Sequence, residues 1–197
     1  MIIGIGHSPA MYKLEMPPLN NLYIYPRFFD NKADLIRKKY IKYLQKLWML
    51  RDNIRIALYP DYVYKLLNVP PGISYIIPVH SINKEVEELY HKLQNSRIDA
   101  WLGFASNEKY RNYDIEEFLE FSERLNAKTW YLGVSTKKEL KEVIRFQFQG
   151  FDITTMLLGK FEQIKNKEYV RRKIIEIVKL TENRGKQLTI LSFQRVH

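Results

Sequence analysis

Cysteine is absent from this chain of 197 residues, which removes disulfides, thiol nucleophiles and thiolate metal sites together. Histidine is scarce, with His7, His80, His91 and His197 only. A metal would have to rest on imidazole and carboxylate alone, and neither a metal nor another cofactor is expected. No apolar run reaches the roughly 18 residues of a membrane span, so no membrane partner is expected. The opening stretch from Met1 to Lys13 lacks a basic leader and a long apolar segment, which reads as cytoplasmic. Glycine and proline are few, eight of each, and form no linker. One domain over residues 1–197 is the expectation. Missing Cys beside abundant Lys, Ile and Tyr also fits a thermophilic source.

Positive charge, by contrast, is plentiful and unevenly placed. The formal net charge is +10; residues 27–55 and residues 160–197 each carry +6, and the remainder carries −2. Clustered cations are the footprint of a polyanion partner. The expected nucleic-acid contacts are Lys38, Lys42 and Lys46 on the first long helix and Arg171, Arg172 and Lys179 on the last. The plainer reading is a solvated, lysine-rich face that keeps the protein soluble.

Short apolar runs alternate with helical periodicity along the whole chain. Strands are expected at Asn21–Tyr25, Ile54–Tyr59, Ser74–Val79, Ile98–Phe104, Lys128–Val134, Gly150–Met156 and Leu188–Phe193, with a further one at Ile2–Gly6. Runs such as Tyr75-Ile-Ile-Pro-Val79 are apolar on both faces, as in a buried parallel sheet. Helices are expected at Asp34–Leu50, from Asn83 through Leu93, at Ile115–Leu125, from Thr136 through Phe146, and at Tyr169–Leu180. Asp114 with Glu117, and Thr136 with Glu139, are capping boxes, and Asn183–Gly185 reads as a stop. Such alternation means βαβ units. It predicts an α/β fold, either a (β/α) barrel of the TIM type, complete or reduced, or an open doubly wound parallel sheet.

In both architectures ligands bind at the C-terminal edge of the sheet. The residues falling there are Asp61, His80, Gly103, Gly133 and Asp152, with Ser81, Ser106, Ser135 and Thr155 beside them. Each has a bland alternative as a cap, turn or packing residue. Their number at one edge points to a site. Gly4-Ile-Gly6 lacks the third glycine of a dinucleotide fingerprint. No phosphate loop, zinc-protease helix or nucleophile elbow is present.

Trp130-Tyr-Leu-Gly-Val-Ser-Thr136 followed by Gln149-Gly-Phe-Asp-Ile153 resembles the tRNA-guanine transglycosylase superfamily. Ile56-Ala-Leu-Tyr-Pro-Asp61, Ile76-Ile-Pro-Val-His80 and Ala100-Trp-Leu-Gly-Phe104 resemble its base-binding strands in the same order. Gly4-Ile-Gly6-His7-Ser-Pro9 and Leu22-Tyr-Ile-Tyr-Pro26 resemble the branch that inserts 7-deazaguanines into DNA. The resemblance implies a barrel that exchanges a guanine for a 7-deazaguanine in tRNA or DNA. It places Asp152 as the catalytic nucleophile, or three positions before the nucleophile, which puts Thr155 in that place. Asp61 becomes the base reader, and His80, Gly103 and Gly133 complete the pocket. The family's second, acid/base aspartate has no visible counterpart, and its cysteine zinc site cannot exist here. Two other readings stand beside it: an inactive nucleic-acid-binding or partner subunit, and an unrelated β/α enzyme acting on a small anionic metabolite.

Overall fold

Eight short strands, all parallel, form one sheet in the order β2-β1-β8-β7-β6-β5-β4-β3. They are β1 (Ile2–Ile5), β2 (Leu22–Ile24), β3 (Phe28–Phe29), β4 (Ile56–Leu58), β5 (Ser74–Val79), β6 (Ala100–Ala105), β7 (Lys128–Val134) and β8 (Gly150–Ile153). The computed structural model describes residues 1–8, 11 and 14–193, with side chains as far as Glu182 in the last helix. Pro9 of the opening motif lies outside the described residues.

The two edges of this sheet are consecutive on the chain, because only Tyr25-Pro26-Arg27 separates β2 from β3. The Tyr25 N–H donates to the Ile5 carbonyl at 2.8 Å, whereas the Arg27 carbonyl accepts from Arg55 at 2.9 Å and from Ile56 at 3.1 Å. Residues 22–29 therefore act as one bent strand, paired with β1 through its first half and with β4 through its second. The sheet is nearly closed into a barrel. Its strand order is cyclic, without the reversal that a doubly wound sheet requires, so the open-sheet alternative is set aside.

Three successive units share one construction. Helices α3 (Lys84–Asn95), α4 (Ile115–Arg124) and α5 (Lys137–Arg145) start on the side-chain caps Asn83, Asp114 and Thr136, the last two with full capping boxes. Each is followed by a left-handed residue, Arg97, Asn126 or Gln147. The next N–H then reaches back five residues, from Ile98 to Leu93, Ala127 to Ser122 and Phe148 to Val143. That closure satisfies the last carbonyls and turns the chain directly into the following strand.

The expected helix Asp34–Leu50 is two helices, α1 (Lys32–Ile36) and α2 (Tyr40–Leu50), parted at Lys38, whose φ is +52°. The expected strand Gly150–Met156 ends at Ile153, and Thr155–Leu158 turns into α6. After α7 (Phe161–Ile164), helix α8 runs from Lys167 to Phe193. That corrects both the stop at Asn183–Gly185 and the strand at Leu188–Phe193. One interior glycine costs a helix only about 1 kcal/mol relative to alanine, and a short apolar run does not by itself separate strand from helix. The crossovers after β1 and β4 contain no helix among their described residues, so the barrel is a reduced one. Helices α2 and α8, which carry the basic excess, follow β3 and β8, and β1 and β2 lie between those strands.

Aromatic rings and glycines fill the barrel interior together. Trp130 is fully buried and stacks on Phe28 with ring centroids 5.3 Å apart. Gly4 leaves room for the Phe28 ring and Gly150 for Trp130; a Cβ on Gly150 would stand 2.2 Å from the indole. Replacing Gly150 by Ala is expected to cost about 1–3 kcal/mol or more through overpacking, which lowers Tm by several degrees. Thermal unfolding of Gly150→Ala with an unchanged midpoint would contradict this packing.

Candidate functional site

The mouth of the barrel is built where β1, β3, β4, β5, β7 and β8 end. Asp152, on β8, is buried, and its Oδ1 accepts from the Trp130 Nε1–H and from the Gly133 N–H, each at 3.0 Å. Gly133 adopts φ +74°, a left-handed turn that aims its N–H at this carboxylate. Asp152 pairs in register with Gly4. Two residues on from Gly4, just past the end of β1 and on the same face, a Cβ on Gly6 would stand 2.2 Å from the carboxylate of Asp30. The two carboxyl groups thus share the interior face of the mouth, one layer apart.

Asp30 follows β3 directly and is 3% exposed. Its Oδ1 accepts the His7 N–H at 3.0 Å, and its Oδ2 lies 3.8 Å from the Lys32 Nζ. Burial pushes its carboxyl up to about 6; Lys32 pulls against this, and the nearby Asp152 adds to it. Lys32 is held above its usual range, chiefly by Asp152 and also by Asp30, with burial opposing. One ammonium therefore serves two carboxyl groups.

On the other side of the mouth, Asp61 and His80 meet. The His80 Nε2 lies 2.6 Å from the Asp61 Oδ1, and its Nδ1 lies 2.7 Å from the Tyr110 carbonyl. A carbonyl only accepts, so Nδ1 carries a proton; with Nε2 facing a carboxylate, the ring is best satisfied as imidazolium. Burial lowers the His80 pKa, but the Asp61 bond and charge and the Tyr110 bond outweigh it, and the net shift is upward. Tyr62 stacks on the imidazole at 4.3 Å and 9°.

Two cavities open here, each of about 290 Å³. One is walled by Leu58, Pro78, Ala105 and Leu132, with Asp61, His80, Gly133 and Asp152 at its polar end. The other is bordered by His7, Ser8, Asp30, Thr154 and Thr155. Lys32 lines both. The first is at the lower end of the roughly 300–1,000 Å³ typical of ligand pockets, the scale of one heterocycle.

Asp61, His80, Gly133 and Asp152 are therefore brought together around one cavity. Gly103 lies in mid-strand, where a Cβ would meet Ile76 at 2.8 Å and Leu132 at 2.9 Å, so its role is packing beneath the mouth. Thr155, at the start of α6, borders the second cavity and not the first. Lys38 and Lys42 are exposed on the first basic segment, as are Arg172 and Lys179 on the last. Lys46 is taken up by Asp34 at 2.5 Å, and Arg171 by the Glu15 carbonyl and Glu168. Asp30 and Lys32 were missed from sequence, although Phe28-Phe29-Asp30 repeats the pattern of an apolar strand ending in a carboxylate. No group of three His, Asp or Glu suited to a metal occurs among the described residues, so the resemblance's zinc does not fit this donor set.

Comparison with known proteins adds one relative. The chain is 41% identical over 194 residues to the uncharacterized protein ORF192 of Acidianus two-tailed virus, covering 96% of this chain and 98% of the viral protein. The chain belongs to the ORF192 family. No family model and no solved structure matches it.

Because its folded pKa is raised, His80 contributes stability that is fully present below the unfolded value of about 6.5 and is lost as pH rises through the folded value. The stability gap between the protein and His80→Gln, read by urea unfolding, is expected to be wider at about pH 5.5 than at about pH 9. An equal gap at both would contradict the imidazolium assignment.

Proposed function

We propose that this chain is a transglycosylase-type enzyme that acts at a guanine-type base of tRNA or DNA, with the barrel mouth as its active site. The observation that carries the reading is the carboxyl pair. Asp30 is shifted toward 6 by burial, whereas Asp152 is fixed by two N–H donors. Pairs of carboxyl groups in unlike environments are how glycoside chemistry divides acid from nucleophile.

In this reading the base enters the apolar cavity and is read by Asp61, which accepts from a ring N–H or an exocyclic amine. The Asp152 carboxylate attacks the sugar C1′, and the C1′–N bond breaks. Asp30, protonated, gives its proton to the departing base. A glycosyl ester on Asp152 remains. A 7-deazaguanine then attacks C1′ through its ring nitrogen, returning its proton to Asp30 and releasing the carboxylate. Asp30 supplies the second carboxyl for which the sequence resemblance had no counterpart. Lys32, half-exposed and 3.8 Å from Asp30, offsets part of their combined charge at the mouth.

Incubation with tRNA and with duplex and single-stranded DNA, followed by detection of guanine release or 7-deazaguanine incorporation, tests the reading. Asp152→Asn is expected to abolish turnover. Asp30→Asn is expected to lower kcat by about 10²–10⁴-fold, and Asp61→Asn to weaken base affinity by about 1.5–3 kcal/mol without changing polynucleotide retention. Base binding without any release would favour the inactive binding subunit. Absence of base binding, with turnover by neither nucleic acid, would refute the proposal.

A further inference from the structure

We infer that the rim of the mouth is a stacking platform for an unpaired polynucleotide strand, with Tyr62 and Tyr110 as the rings on which the neighbours of the target base lie. The inference rests on the polynucleotide reading above and adds which form of strand the site takes.

Tyr62 and Tyr110 are 56% and 59% exposed, an unusual state for large rings beside a cavity. They flank one His80 ring, Tyr62 stacked on it at 4.3 Å and Tyr110 edge-on at 6.5 Å. Tyr62 is also held at φ +56°, a left-handed backbone that an aromatic residue rarely adopts. Strain of this kind persists only where the surroundings enforce it, and it clusters at ligand-contacting positions. Here the enforcement comes from Asp61, which the Tyr40 hydroxyl ties through its carbonyl at 2.9 Å and His80 ties through its carboxylate. The stacked face of Tyr62 is thereby fixed against His80, and its other face is turned to solvent.

Exposed cations stand on the loops of this edge, whose acids near the rings include Asp61, paired with His80, and Glu85. Arg37, Lys38 and Lys39 follow α1, Lys65 follows β4 and Lys109 precedes Tyr110, all exposed on the loops of the same edge. The rim acid Glu108 is paired with Arg111 at 3.6 Å. Aromatic rings set among exposed cations bind single strands, because bases stack on the rings while phosphates meet the cations. A duplex offers neither an unstacked base for the rings nor a free one for the cavity.

The test is fluorescence anisotropy of the full chain with a labelled 15-nucleotide strand and with its duplex, across a salt series. Single-strand affinity is expected to exceed duplex affinity. Tyr62→Ala and Tyr110→Ala should each weaken the single strand by roughly tenfold or more and leave the duplex unchanged. Tyr62→Trp should restore binding, and its added indole should be quenched on strand addition. That variant separates lost stacking from lost fold. A single strand bound with normal salt dependence but indifferent to both tyrosines would overturn this inference and leave the polynucleotide reading standing. Binding of neither strand nor duplex would overturn both.

Discussion

Two carboxyl groups share the interior of the barrel mouth, and Lys32 is the cation that allows both to stay there. Asp30 is buried against the bare Cα of Gly6, and Asp152 lies one layer below it beside Gly4. Desolvation of two such groups in one low-dielectric site is expensive unless one of them stays protonated or a counter-charge is held nearby. The structure shifts one carboxyl toward the protonated form and supplies the counter-charge. Burial lifts Asp30 toward 6, and Lys32, 3.8 Å from it, is itself held protonated by the pair. The glycines on β1 are part of the same arrangement, since any side chain there would displace Phe28 or Asp30.

The scaffold keeps this arrangement in place through regular units on one side and irregular ones on the other. From β5 to β7 each strand is followed by a capped helix and a left-handed exit, and these units, leading into β8, build the wall that carries Gly133 and Asp152. On the other side the crossovers after β1 and β4, with no helix among their described residues, supply His7, Ser8, Asp61 and Tyr62. The bent run through Tyr25 and Arg27 closes the ring and delivers Asp30. Binding residues concentrated on loops above a rigid scaffold are the usual division of labour in β/α barrels.

Much of the regular half was legible in the sequence. The caps at Asn83, Asp114 and Thr136 and the apolar runs of β5 to β8 carry local signals that tertiary packing had no need to override. Asp61, His80, Gly133 and Asp152 were legible because each ends an apolar run. Asp30 was not, because β3 has two residues and follows a proline, so its apolar run is too short to read as a strand. Its partner Lys32 was hidden in the basic composition of the segment that follows. The extent of α8 was obscured by Gly185, a residue type that commonly closes a helix and is interior in this one. The His80 pairing, joining residues 19 and 30 positions apart, depends on β4, β5 and β6 lying side by side in the sheet and has no local signature.

The measurement that bears most directly on this account is the carboxyl titration of Asp30, followed by ¹³C NMR in the intact protein and in Asp152→Asn. The account predicts a midpoint of about 6 in the protein and a lower one once the Asp152 charge is removed. A midpoint near the ordinary aspartate value of about 3.9, unmoved by Asp152→Asn, would mean that the two carboxyl groups do not form a coupled pair, and the catalytic reading of the mouth would fail.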